Sequence, residues 1–356
     1  MSIYAYSRNI IQEILQKQES LQMKDISINI SEDVNNSEVM DISVCSLETL
    51  LFNSLKNILD RITDDTNRIF ISYSGGIDSL LCAMLCLKYF THKVFLINTA
   101  FSCGDTWASR DRETAKEGYT YILGRVQDTS RCVLVQNNIT REEIIARKED
   151  ILSISDGTTM DFNLAALHFF TARKTKELGG TYIITGSGAD ELFMGYSRHR
   201  KIAEEKGAVP VNNSEDKADI SMICKDIINQ RKNHDETTFL LVRQIITDIS
   251  GFWESNLQRD CRAGMLCGVL QMSPFLNAAV LAYALETCCA ERVEKKELVE
   301  ILHREYPDMH IKKKLAGQFG SGISNVVRSI RCRAHTLCRN NECLSLECTK
   351  YTRDEK

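Results

Sequence analysis

Apolar positions in this chain alternate between helical and strand spacing. Ile3, Ile10, Ile11, Ile14 and Leu15 place an amphipathic helix within residues 1–22. Residues 25–43 are polar and rich in Asn, Ser and Asp, the composition of a loose link. Ser46 then caps a helix whose Leu47, Leu50, Leu51, Leu55, Ile58, Leu59 and Ile62 recur at intervals of three and four. Ile69–Tyr73, short and rich in β-branched and aromatic residues, reads as a buried strand. Leu80–Phe90 is too long and Leu-rich for another strand and reads as a buried helix.

The alternation continues. Strands are expected at 94–101, 132–135 and 181–185, with helices at about 112–123, 142–148 and 160–178, the last ended by Gly179-Gly180. Strand and helix in turn imply an α/β fold with a parallel sheet covered on both faces. From about residue 205 the pattern changes to a surface loop at 207–217 and then mostly helix. Four segments follow: an N-terminal helix and link (1–45), an α/β core (46–206), a helical part (207–330) and a polar Cys-containing tail (331–356).

Candidate chemistry lies where strands turn into helices. Tyr73-Ser74-Gly75-Gly76-Ile77-Asp78-Ser79 joins the first strand to its helix. Such a turn aims free backbone N–H groups at one point, where the helix dipole favours an anion. Ser74 and Ser79 add hydroxyls, whereas Asp78 would repel bare phosphate and makes sense with a bridging Mg²⁺. Neither the Walker pattern nor the dinucleotide fingerprint is present. Thr185-Gly186-Ser187-Gly188-Ala189-Asp190-Glu191 repeats the arrangement after the fourth strand. Asp78 and Asp190 are the expected metal pair, and Thr99 at the second strand's end the expected further nucleotide contact.

Composition narrows the partners. The 356 residues are 43% hydrophobic and 26% charged, ordinary for a soluble globular protein of about two domains. A net charge of −4 gives no footprint for nucleic acid or an anionic membrane, and no apolar run has the length of a bilayer span. Fourteen cysteines without a short secreted framework suit reduced thiols and a cytoplasmic location. The helix and link of residues 1–45 suit a protein partner.

The Ser74–Ser79 loop resembles the pyrophosphate loop of the ATP pyrophosphatases, which implies the adenine nucleotide α-hydrolase-like fold, with ATP and Mg²⁺ as ligands. Together with Gly186–Glu191 and the following Leu192, Gly195 and Tyr196, it resembles the synthetase domain of asparagine synthetases, and Gly195–Arg200 a divergent branch of them. Ala100-Phe101 with Asp111-Arg112, Arg259–Arg262 with Pro274-Phe275-Leu276, and Gln318–Gly322 are similar to further family patches, so the resemblance covers about 46–330. It implies that aspartate is adenylated with release of pyrophosphate and that ammonia then forms the amide. Asp190 and Arg259 are catalytic positions it implies here, and Lys314 is expected to act with them on the phosphates; Lys312-Lys313-Lys314 is either a solvated face or, since Gln318-Phe319 follows, counter-charge to the pyrophosphate.

Several positions depart from that pattern. Ser187 stands where the family has a glutamate that serves amide formation, and serine is no carboxylate base near neutral pH. Leu270 and Met272 replace charged residues, Asn277 an aspartate and Ala316 a lysine. Met1-Ser2 lacks the family's nucleophilic cysteine, and the glycine loop falls too early for a preceding glutaminase, so ammonia is expected to be free or from a partner. The alternatives are a degenerate ATP-binding protein acting through partners and, against the charge, a tRNA-modifying ATP pyrophosphatase.

Other clusters read as bland. Cys332, His335, Cys338, Cys343 and Cys348 fit no standard zinc spacing. His168 is expected in the core or a groove, and Arg198, His199 and Arg200 suit either phosphate or a helix end.

Overall fold

Ser46 caps the first described helix through its Oγ, which accepts the Thr49 N–H at 3.2 Å, and the helix buries Leu47, Leu50, Leu51, Leu55 and Ile58 as their spacing requires. The computed structural model describes residues 46–62, 67–102, 109–205, 235–252, 256–309 and 317–329. Outside them fall the expected N-terminal helix and link, the expected loop at 207–217, Lys312-Lys313-Lys314, Ala316 and the Cys-containing tail segment.

The strands are β1 (Arg68–Ser72), β2 (Lys93–Ser102), β3 (Cys132–Thr140), β4 (Tyr182–Ile184) and β5 (Leu270–Met272). They form one parallel sheet in the order β3-β2-β1-β4-β5. The four expected strands are present, and β5 is an addition from the later, mostly helical half. Three residues are too few to carry a periodic signal, so β5 was not legible in the sequence.

The first six helices are α1 (Leu47–Arg61), α2 (Ile77–Tyr89), α3 (Arg110–Leu123), α4 (Arg141–Ala146), α5 (Lys148–Ile154) and α6 (Thr159–Glu177). After β4 come α7 (Ala189–Leu192), α8 (Ser197–Glu204), α9 (Glu236–Phe252) and α10 (Gln258–Leu266). Beyond β5 lie α11 (Ala278–Thr287), α12 (Lys296–Glu305) and α13 (Gly317–Gly320). Among the described residues no helix is long and apolar enough to cross a membrane.

β1 is central and buried on both faces, so Ile69, Phe70 and Ile71 are all apolar and fully covered. Ile69 and Ile71 pack into the larger core with α1, α2, α9, α11 and α12. Phe70 points the other way, among Ile97, Ala172 and Ile183. Helix α2 is buried at every position from Asp78 to Leu87, which is why it shows no polar face. Each large apolar side chain hidden there contributes about 1.5–3 kcal/mol. That burial fixes the start of α2, and with it Asp78, at the carboxyl end of β1.

Candidate functional site

The loop leaving β1 is shaped by its glycines. Gly75 has φ +77°, and a Cβ on it would lie 2.5 Å from the Thr114 carbonyl and the Ala115 nitrogen of α3. Only glycine tolerates both the left-handed backbone and that approach. Gly76 opens α2 with no side-chain cap. Around it the Ser79 hydroxyl donates to the Gly76 carbonyl at 3.1 Å and accepts from the Ser74 N–H at 3.3 Å, while Ser74 Oγ accepts from the Gly76 N–H at 3.3 Å.

The second glycine turn packs against the first. A Cβ on Gly186 would lie 2.6 Å from the Asp78 Cβ, so this glycine permits the two loops to meet. Asp78 is 2% exposed, and both its carboxylate oxygens accept from Lys295 Nζ, at 2.7 and 2.8 Å. The same ammonium lies 2.6 Å from Asp190 Oδ1. The expected pair therefore converges on one point, and a lysine the sequence reading did not single out sits between them. Two hard carboxylates sharing one cation suit Mg²⁺, which takes one or two carboxylates and completes its shell with phosphate oxygens and water. Among the described residues no third acidic, His or Cys ligand joins them.

Lys295 is held there by backbone rather than by reach alone. Glu294 and Lys295 both have positive φ, +65° and +61°, as does Met194 at +55°. Such conformations cost non-glycine residues about 1–3 kcal/mol each and persist only where their surroundings enforce them. Here the Glu294 and Lys295 N–H groups donate to the carbonyls of Met194 and Phe193 at 3.0 Å each, and Arg200 pairs with Glu294 at 3.3 Å. A Cβ on Gly195 would lie 2.0 Å from Asp190 Oδ1 and 2.4 Å from Lys295 Cε.

Glu191, beside Asp190, is 4% exposed and accepts from the Tyr196 hydroxyl at 2.6 Å. Burial pushes its carboxyl up to about 7; the Tyr196 hydrogen bond opposes this, and the Asp190 charge adds to it. Burial and the Glu191 charge likewise hold the Tyr196 phenol above its ordinary value.

The remaining expected residues fall in different places. Tyr73 contributes backbone to the loop, while its ring is buried under α3 with the hydroxyl against Gly118 and without a hydrogen-bond partner. The Thr99 hydroxyl faces Thr171 of α6 at 2.8 Å and Asn137 at 3.1 Å. Thr185 hydrogen-bonds Ser187 Oγ at 3.0 Å, and Ser273 Oγ donates to the Ser187 carbonyl at 2.6 Å. Arg259 is buried in an ionic cluster, 2.8 Å from Asp161 and 2.7 Å from Asp260. His168, half-buried, joins that cluster through Asp260 at 3.3 Å and Gln271 at 3.1 Å. Lys314 lies outside the described residues.

The weaker patches support the two loops. A Cβ on Gly188 would lie 2.8 Å from Leu276, so the Pro274–Leu276 turn lies under the second loop. Asn277 caps α11 by accepting the Ala279 N–H at 2.9 Å, a task asparagine performs as well as aspartate. The Phe101 N–H donates to the Ser321 carbonyl at 3.0 Å, and Gly320 packs on Asp111, returning the late glycine patch to the end of β2. Arg198 pairs with Asp248 at 2.9 Å and His199 lies 2.9 Å from the same carboxylate, so these basic residues tie α8 to α9.

Comparison with known proteins points to one family. The family described as asparagine synthase matches residues 65–343. Over 282 residues the chain is 24% identical to a putative glutamine-hydrolyzing asparagine synthetase of Methanocaldococcus jannaschii, covering 79% of this chain and 43% of that protein. An asparagine synthetase domain-containing protein of Drosophila melanogaster is 24% identical over 338 residues, 84% of this chain and 55% of that one. A glutamine-hydrolyzing asparagine synthetase of Lotus japonicus is 29% identical over 147 residues, 40% of this chain and 23% of its own length. The chain spans about half the length, or less, of these curated relatives.

Proposed function

Because the chain belongs to the asparagine synthase family, we propose that it binds ATP at the carboxyl ends of β1 and β4 and adenylates a carboxylate, aspartate by family resemblance, before ammonia forms the amide. The observation that carries this reading is the convergence of Asp78 and Asp190, each at the exit of a glycine turn, on a single cation position. In the first step a carboxylate oxygen attacks the α-phosphorus and the bond to the bridging oxygen breaks, its electron pair leaving with pyrophosphate. The Ser74–Ser79 turn receives that pyrophosphate at the N–H groups that open α2, and the Ser74 and Ser79 hydroxyls, bonded within the turn, would rotate toward the new charge. Mg²⁺, held by Asp78 and Asp190, would neutralise phosphate charge as the bond breaks. Thr185 and Gly186 form the facing wall, and Lys314, three residues ahead of α13, supplies a further positive charge to the phosphates. In the second step ammonia attacks the acyl carbon, the bond from that carbon to the AMP oxygen breaks with its electron pair leaving on AMP, and the surplus proton of the nitrogen passes to solvent. Arg259 has a supporting role here, since its guanidinium is already matched by Asp161 and Asp260.

A second reading keeps the nucleotide and drops the amide. Ser187 offers no carboxylate, and its hydroxyl and carbonyl are already engaged by Thr185 and Ser273. Leu270 and Met272 place apolar side chains on β5 where the family carries charge. Isotope exchange between pyrophosphate and ATP, measured with Mg²⁺ and aspartate, separates the two. Aspartate-dependent exchange, lost in Asp78→Asn and Asp190→Asn, is the expected result. ATP binding without exchange would favour the second reading, and no binding at all would overturn both.

A further inference from the structure

We infer that Lys295 is a tethered counter-ion that makes metal uptake at Asp78 and Asp190 conditional on nucleotide. The inference rests on the proposed nucleotide reading and adds a regulatory element to that site. Nζ lies 2.7, 2.8 and 2.6 Å from three oxygens of the two aspartates, which is the space a bridging divalent ion would need. Two cations cannot share it, because Mg²⁺ itself requires oxygens at about 2.0–2.1 Å. Lys295 is also no mobile surface lysine. Its residue is 5% exposed, its backbone is left-handed and hydrogen-bonded to Phe193, and Gly195 makes room for its side chain.

The charges explain why nucleotide would alter the balance. Without it, one ammonium offsets two carboxylates, and an incoming divalent ion meets a site carrying a net single negative charge behind a fixed positive one. A triphosphate brings several negative oxygens to the neighbouring glycine turn. Those oxygens offer the ammonium a new partner and the metal additional ligands, so the aspartates can exchange one cation for the other.

The test uses the full chain and Mn²⁺ as a paramagnetic probe, with free ion counted by electron paramagnetic resonance. The native protein is expected to take up little Mn²⁺ alone and one ion with α,β-methylene-ATP. Lys295→Met and Lys295→Gln are expected to bind Mn²⁺ without nucleotide at least tenfold more tightly than the native chain, an affinity abolished by adding Asp190→Asn. Mg²⁺ alone should raise the melting temperature of these variants and leave the native one unchanged. If a variant does not fold unaided, recovery of its fold with Mn²⁺ supports the inference and absence of recovery overturns it. Equal native uptake with and without nucleotide, or unchanged nucleotide-free uptake in the folded variants, also overturns it. Either result in a native chain that binds nucleotide overturns this inference alone, whereas a native chain that binds no nucleotide overturns the functional reading and, with it, the nucleotide dependence inferred for Lys295.

Discussion

Glu191 shows how much a single carboxyl next to the site depends on its surroundings. It is buried, with the Tyr196 hydroxyl as partner, and desolvation raises it from 4.5 to about 7. The folded state therefore binds a proton more readily than the unfolded chain between those values. Its contribution to stability is full below about pH 4.5 and is lost as pH rises through about 7. Glu191→Gln removes the titration and keeps an acceptor for Tyr196. Urea unfolding at pH 4.5, 6 and 7.5 should show the native chain losing stability relative to this variant by roughly 3 kcal/mol at most; parallel curves would contradict the assignment. At this scale the sequence was legible where chemistry is local. Ser74–Ser79 and Asp190 could be read from a strand, two glycines and a helix start. Lys295 could not, because Glu294-Lys295-Lys296-Glu297 reads as an ordinary charged stretch and its role exists only through a contact 217 residues distant along the chain.

Among the elements, those with long periods were readable and the short ones were not. The Leu and Ile spacing that predicted α1 is the face it buries, and Gly179, with φ +82°, ends α6 where the glycine pair was expected to stop it. β5 escaped because its three residues carry no repeat, and its apolar Leu270 and Met272 stand where the family resemblance suggests charge. The turn after β5 keeps a helix cap although its letters differ from the pattern the resemblance implies. Asn277 replaces an aspartate of the family pattern, yet its Oδ1 accepts the Ala279 N–H at the start of α11. Asn277→Ala should cost about 1 kcal/mol, the usual loss at an N-cap, whereas Asn277→Asp should stay within a few tenths. Guanidinium unfolding of the two variants checks this. Equal losses would mean that the side chain matters for the turn under the second glycine loop rather than for the cap.

Across the whole molecule, the site depends on parts of the chain that are far apart in sequence. Asp78 comes from the first crossover, Asp190 from the turn after β4 and Lys295 from the entry to α12, so no segment contains the site. Arg259 has the corresponding position in the scaffold. It lies in α10 of the later half, and its Nη1 reaches Asp161 at the start of α6 in the earlier half, with Asp260 completing the pair. The family resemblance implies a catalytic role for it, while its two carboxylate partners suit a structural one. Removing one partner of a buried ionic cluster leaves carboxylates uncompensated, at about 3–5 kcal/mol. Arg259→Leu should therefore lower stability by that amount, and Arg259→Lys by less, since an ammonium keeps the charge and loses the fork. If the role is structural, the fraction that remains folded should bind ATP within two- to threefold of the native affinity. A catalytic guanidinium predicts the opposite outcome, with stability retained and aspartate-dependent pyrophosphate exchange abolished. Denaturant midpoints and exchange rates measured on the same preparation separate the two, because the first reports the connection between the halves and the second the chemistry at the loops.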